Sequence, residues 1–158
     1  MDKTKPGLKI HIDKAEDARV IALLEAHLAL MRASSPPESV FALDLEGLRA
    51  SDVTFWTMWQ GEAVVSCGAL RELSSDHGEI KSMHTAKAHR GKGAGARMLE
   101  HVMAEARARG YHRVSLETGS VDIFLPAQRL YERYGFEFCE AFAPYQPNPF
   151  SVFMTQEL

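Results

Sequence analysis

Apolar and polar residues alternate from Leu8 to Ile12, so this stretch is expected as a strand. The period then becomes helical, because Val20, Leu23, Leu24, Leu28 and Met31 share one face and Asp13 and Glu16 stand ahead of them at capping-box spacing. Ser35-Pro36-Pro37-Glu38 is expected to cap a second short helix carrying Val40, Phe41 and Leu45, with proline where a missing N–H costs nothing. Two β-branched and aromatic runs, 53–60 and 63–71, flank Gly61-Glu62 and predict an antiparallel hairpin, which 79–85 extends. Residues 96–109 align Met98, Leu99, Val102, Met103 and Ala106 in one stripe ahead of Gly110. A strand over 113–118, a short helix over 126–134 stopped by Gly135, and strands over 136–142 and 151–157 complete the chain. Between the last two, the segment from Ala143 to Phe150 is too rich in proline for a ladder and reads as an ordered loop over one end of the sheet. The order is βααβββαβαββ, an α/β chain of the α+β kind.

Composition narrows the class. A chain of 158 residues supports one core, so a single domain over 1–158 is expected. No apolar run is long enough to span a bilayer, which argues against a membrane partner. The first seven residues lack the apolar segment of a signal peptide, and two cysteines make no disulfide framework, so a reducing cytoplasm is the expected location. A net charge of −3 supplies no basic field for nucleic acid. Positive charge gathers locally, in Lys87, Arg90 and Lys92.

Those charges surround Arg90-Gly91-Lys92-Gly93-Ala94-Gly95, between a strand and a helix. Glycines allow close backbone approach, and the unpaired first N–H groups of a helix favour anionic oxygens, so the segment is a candidate phosphate cradle. A Walker loop is excluded because Lys92 is followed by Gly93 rather than a hydroxyl residue. A Rossmann fingerprint fits poorly, since the glycines read G-x-G-x-G in mid-chain. What remains, R-x-x-G-x-G after a strand beginning at Glu79, resembles the acetyl-CoA signature of the GNAT superfamily of N-acetyltransferases. Leu130-Tyr131-Glu132-Arg133-Tyr134-Gly135-Phe136 resembles that family's L-Y-x-x-x-G-F segment, and the element order extends the resemblance over nearly the whole chain. The chain departs from the pattern at Phe124-Leu125-Pro126-Ala127, where many relatives carry an asparagine that contacts CoA.

The resemblance implies a GNAT fold, with a mixed, mostly antiparallel sheet and a splayed central strand pair that admits the pantetheine arm. It implies acetyl-CoA as co-substrate, with Arg90, Gly91, Lys92, Gly93, Ala94, Gly95 and Ala96 around the pyrophosphate and backbone groups of Met83, His84 and Thr85 on the pantetheine. Direct attack by an amine needs a base for the ammonium proton and an acid for the departing thiolate. Glu79 matches the family's base position, although a solvated carboxylate at a strand start is the alternative. His84 is a second candidate base on the opposite alternating face, or a satisfied sheet histidine. Tyr131 is the expected acid, since a phenol stays protonated at neutral pH, with amphipathic packing as its alternative. Tyr134 fits less well, directly before the capping glycine.

Cys67 lies in an apolar strand without a cationic neighbour and is expected in the core. No histidine or cysteine spacing suits a metal. Trp56 and Trp59 fall on opposite strand faces, so at most one points toward substrate. By resemblance, acceptor specificity resides in the two proline-rich segments, where Glu38 and Tyr145 are the candidate substrate contacts; Glu38 is equally explained as a helix-capping charge. The expected activity is acetyl transfer to a small amine. A peptide or protein acceptor and a non-catalytic CoA-binding sensory module are the alternatives, and a homodimer through exposed sheet edges is implied by resemblance.

Overall fold

A seven-stranded sheet organises the chain in the computed structural model, which describes residues 7–158. Most of the N-terminal stretch read above as lacking a leader lies outside the described residues. The strands are β1 (Leu8–Ile12), β2 (Val53–Gln60), β3 (Ala63–Ser74), β4 (His77–Thr85), β5 (Arg113–Gly119), β6 (Glu137–Cys139) and β7 (Ser151–Glu157), in the order β1-β2-β3-β4-β5-β7-β6. Every ladder among the described residues is antiparallel except β4 with β5. That pair is parallel because helix α3 (Ala94–Ala108) carries the chain across the sheet between them. The other helices are α1 (Ala18–Ser34), α2 (Leu45–Leu48) and α4 (Leu125–Arg133). The expected mixed, mostly antiparallel GNAT-type order is therefore observed. No helix of the described residues is long and apolar enough to cross a membrane.

Each sheet face has its own core. On one, the predicted α3 stripe of Met98, Leu99, Val102, Met103 and Ala106 is buried against Trp56, Leu70, Ile80, Val114, Leu116 and Tyr131. On the other, Val20, Leu23 and Leu24 of α1 pack with Phe55, Cys67 and Ala69. Trp56 and Trp59 separate as expected. The Trp56 ring meets His101 edge-on at 5.5 Å in the α3-side core, while Trp59 joins the α1 side beneath the Arg19 guanidinium, 4.7 Å from its ring centre.

Several local expectations are corrected. Asp13 and Glu16 form no capping box, because the chain turns through Ala15 at φ 55 and α1 starts later, on Asp17, whose carboxylate accepts from Arg19 N at 2.8 Å. Asp13 instead accepts from Ala15 N and from Thr57 Oγ1, both at 2.7 Å. The segment after Ser35 makes only a 3₁₀ turn over Pro37–Ser39, and Val40 is already extended. The one-turn α2 comes later, capped by Asp44 onto Gly47 N at 2.8 Å. Phe41 is drawn out of helical register onto the Tyr145 ring, 5.0 Å away. The strand expected over 136–142 stops at Cys139, after which Phe142 folds against Tyr145 and Phe153.

In β4, Ser82 and Met83 together oppose Gly68, since Cys67 pairs with His84 and Ala69 with Lys81. This bulge, with Ser82 at φ 55, reverses the strand's alternation. His84 therefore shares a face with Glu79 and Lys81, contrary to the simple two-residue period. Strand β4 also starts earlier than expected, at His77, which puts Glu79 inside the ladder, opposite Arg71 and Ser115.

The β4–β5 ladder ends at Ile80 and Leu116, and the strands part beyond it. Phe124 wedges near this opening, directly over Gly119, where an added Cβ would overlap the aromatic ring. Gly119→Ala is expected to lower stability by about 1–3 kcal/mol, the usual cost of overpacking. Urea unfolding checks this, and an unchanged midpoint would refute the close packing of Phe124 on Gly119.

Candidate active site

The glycine segment makes the turn from β4 into α3 with the chemistry its composition suggests. Gly91 and Gly93 lie at φ 75 and 85, left-handed conformations that disfavour side chains, and Gly93 caps α3 without any side-chain hydrogen bond. Arg97 N donates to Gly93 O at 3.1 Å, so the helix amides of Ala94, Gly95 and Ala96 precede the first helical hydrogen bond. Arg90 Nε donates to Thr85 O at 3.2 Å and ties the loop back to the strand. A cleft of about 410 Å³ runs from these amides down between β4 and α4. Of the ten residues expected to hold the cofactor, Met83, His84, Thr85, Arg90, Gly91, Gly93, Ala94, Gly95 and Ala96 line it, whereas Lys92 is exposed on the loop and does not. Among the described residues, strand β4 from Lys81 onward has no ladder partner on its β5 side, so its backbone is available as a strand edge.

The cleft continues inward. A smaller cavity of about 100 Å³ lies in the strand opening and shares His27, Met31, Met83, Phe124, Ala127 and Tyr131 with it. Tyr131 is 6% exposed, its ring edge-on to Phe136 at 5.8 Å. Burial, and then the negative charge of Glu117, push its phenol above the ordinary value, so it is protonated throughout the neutral range.

A buried ionic cluster stands behind the inner cavity. Lys81 Nζ lies 3.2 Å from Glu79 Oε2 and donates to the Tyr145 hydroxyl at 2.6 Å, while that hydroxyl donates to the Glu79 carboxylate. Glu79 is fully buried, and its Oε1 has no hydrogen-bond partner among the described residues. It lines neither cavity. Glu117, one residue past the end of the β4–β5 ladder, does line the inner cavity, and burial raises its pKa. The Tyr145 ring packs among Phe41, Phe142 and Phe153.

The expected residues therefore divide. Tyr131 and the glycine loop meet along one continuous cleft, and Glu79 and Tyr145 form one hydrogen-bonded unit beside it. Glu38 is exposed on the 3₁₀ turn and lines neither cavity. Cys67 belongs to the core, its Sγ–H donating to Ser82 O at 3.2 Å and its pKa pushed up to about 12 by burial. Tyr134 sits at the surface and bonds Glu100. Sequence reasoning missed Glu117, Lys81 and His27. The signal for Glu117 was a carboxylate in the otherwise uncharged run Val114-Ser115-Leu116-Glu117-Thr118.

His27 of α1 and His84 face each other with Nδ1 atoms 3.2 Å apart, and both line the main cleft. Burial depresses both to about 4, assisted by His84 for His27 and by the Arg90 charge for His84. The pair is thus neutral near pH 7, one ring donating to the other.

Residues 20–136 of the chain match the acetyltransferase (GNAT) family. The chain is 50% identical over 151 residues to the uncharacterized N-acetyltransferase YsnE of Bacillus subtilis (strain 168), covering 96% of this chain and 100% of that one. It is 34% identical over 154 residues to the IAA acetyltransferase of Azospirillum brasilense, covering 97% and 99% respectively. The crystal structure of a GNAT family acetyltransferase from Elizabethkingia anophelis with acetyl-CoA bound matches at a TM-score of 0.69, with 21% identity and coverage of 96% and 98%. That last likeness is one of fold.

The histidine pair makes stability depend on pH. Because both folded pKa values lie below the ordinary 6.5, the unfolded chain binds more protons between pH 6.5 and 4. Stability is full above pH 6.5, falls as pH drops through that window and levels off below about 4, with at most about 3 kcal/mol from His27 and less from the more exposed His84. His27→Leu is expected to flatten the acid limb, as measured by thermal unfolding from pH 4 to 7. Parallel curves for the variant and the native protein would refute the assignment.

Proposed function

This chain belongs to the GNAT family of acetyltransferases, and on that premise we propose that it moves an acetyl group from acetyl-CoA to the amine of a small molecule by direct attack, with both substrates bound. The observation that carries this reading is the meeting of the outer cleft and the inner cavity at Tyr131. A thioester entering from the glycine loop and an amine held in the inner cavity would converge there.

The loop residues fit the anionic end of acetyl-CoA. Free first-turn amides and the positive end of a 15-residue helix favour pyrophosphate oxygens. The open edge of β4 at Met83, His84 and Thr85 suits the amide groups of the pantetheine arm, which would bond it as an added strand does. Tyr131 donates its proton to the departing thiolate, a role that suits a buried neutral phenol. The ammonium proton of the acceptor leaves toward the inner end, where Glu117 lines the cavity and Glu79, the base position implied by the resemblance, is buried behind it.

The size and walls of the inner cavity favour a small acceptor over a peptide. It holds about 100 Å³, with Phe41 and Ala42 among its walls, where a peptide acceptor would need an open groove. A sensory module needs no protonated phenol at the junction of two cavities, which favours an enzyme over that alternative. We also take the chain to be one acetyltransferase domain over 1–158 acting in the cytoplasm.

Acetyl-CoA at about 100 times its dissociation constant is expected to add roughly 2.7 kcal/mol to stability, read as an upward thermal shift. Gly93→Asp forces a left-handed residue to carry a side chain and brings negative charge to the amides, so that shift should vanish; a retained shift would refute the loop as the phosphate site. Tyr131→Phe should lower kcat about 100-fold while leaving acetyl-CoA affinity unchanged. Full turnover in this variant would remove Tyr131 from the proton path.

A further inference from the structure

Two carboxylates stand near the inner cavity, and the geometry treats them differently. Glu79 is at 0% exposure, lines neither cavity, and has one oxygen committed to both Lys81 and Tyr145. Its charge is already matched by Lys81. Glu117 lines the cavity that also holds Tyr131, and it has no lysine or arginine within ion-pair distance among the described residues. The cluster Glu79, Lys81 and Glu117 therefore has one carboxylate more than it has lysines; Lys81 and Glu117 both line the cavity, and Lys81 is already engaged by Glu79 and Tyr145. A cation is the occupant that such a wall accepts, because an uncompensated charge removed from water calls for a partner.

We propose that Glu117, rather than Glu79, binds the acceptor's ammonium group and takes its proton, and that Glu79 is a positioning residue held by Lys81 and Tyr145. The proposal rests on the acetyl-transfer reading above and adds to it an acceptor class. Phe41, Ile80, Phe124 and Ala127 supply apolar wall, with Lys81, Ser82 and Thr118 as polar lining beside Glu117, so the acceptor is a compact primary amine with an apolar body.

The groups around Glu117 define its titration. Glu79 and Lys81 face it from β4, Ser151 from β7, Tyr131 from α4 and Tyr145 from the β6–β7 connection, with His27 of α1 lining the same cavity. Burial dominates and raises Glu117, Glu79 adds to the rise, and Ser151 and Lys81 oppose it. A carboxylate moved toward the working pH is a better acceptor for an ammonium proton than one at its ordinary value.

The step balances as follows. The ammonium gives one proton to the Glu117 carboxylate, leaving a neutral amine and a carboxylic acid. The amine lone pair forms the bond to the acetyl carbonyl carbon, and the carbon–sulfur bond breaks with its electron pair on the CoA sulfur. Tyr131 protonates that thiolate, and the resulting phenolate takes the surplus proton from the acetylated nitrogen. Glu117 then loses its proton to solvent, so the products are an amide, CoA thiol and one proton.

The test begins with wild-type protein, acetyl-CoA and four primary amines: propylamine, butylamine, benzylamine and phenethylamine. CoA release is followed from pH 6.5 to 9.5, and the best acceptor is carried into the variants. Glu117→Gln should lose about 100-fold or more in kcat/KM at pH 7, and the loss should narrow as pH approaches the amine's own pKa, where the amine arrives neutral. Its acetyl-CoA thermal shift should be unchanged, which separates a chemical defect from a folding one. Glu117→Asp, which keeps the charge one methylene shorter, should retain a sloping pH profile at intermediate activity. Glu79→Gln should lower the unfolding temperature and raise KM while keeping the wild-type pH profile.

A Glu117→Gln protein with the wild-type profile, or a Glu79→Gln protein with the profile expected of Glu117→Gln, would overturn the assignment. Acetyl-CoA binding without turnover of any of the four amines would overturn the acceptor class. Failure of wild-type protein to bind acetyl-CoA would instead overturn the acetyl-transfer reading itself.

Discussion

The parting of β4 from β5 after Ile80 and Leu116 is the constraint on which the rest of this structure depends. A ladder that continued would fill the space that both cavities use. It stops because the chain makes the two strands diverge by separate means. In β4, the bulge at Ser82 adds a residue and bends the strand. Beyond β5, Phe124 stands over Gly119 at the mouth of the opening. The backbone groups that lose their ladder partners on β4 become an edge, and an edge next to a helix N-terminus is a ready surface for an extended, amide-bearing and anionic ligand.

Such an opening exposes polar groups that a closed sheet would satisfy, and the Glu79–Lys81–Tyr145 unit shows how the interior tolerates them. Two opposite charges and a hydroxyl share three short contacts among Phe41, Phe142 and Phe153. Burying this ion pair costs desolvation that mutual attraction only partly returns, so its value lies in geometry more than in stability. It fixes the β6–β7 connection over the end of the sheet, where the proline-rich composition had suggested an ordered loop. The aromatic ring of Tyr145 serves the fold and its hydroxyl serves the charges.

How far the sequence revealed this depends on whether the governing constraint was local. The glycine loop was legible because left-handed turns and free amides are properties of a few consecutive residues. The α3 stripe was legible because five apolar side chains repeat on one helical face. The parity of His84 was not, since the bulge at Ser82 arises from pairing with β3 across the sheet. Val40 and Phe41 looked helical in isolation, but tertiary packing on Tyr145 overrides that preference. Glu117 escaped notice because nothing in its neighbours reveals that the ladder ends one residue before it. Tyr131 was found by motif, and its junction of two cavities became evident only in three dimensions.

The opposite placement of the two tryptophans on β2 also makes the protein its own spectroscopic instrument. Trp56 lies in the α3-side core against His101, and Trp59 lies on the α1 side under Arg19. Each indole therefore samples a different half of the sandwich. Removing either one leaves a fluorophore that reports on one face alone, so the cooperativity between the two cores is open to direct optical dissection without any added label.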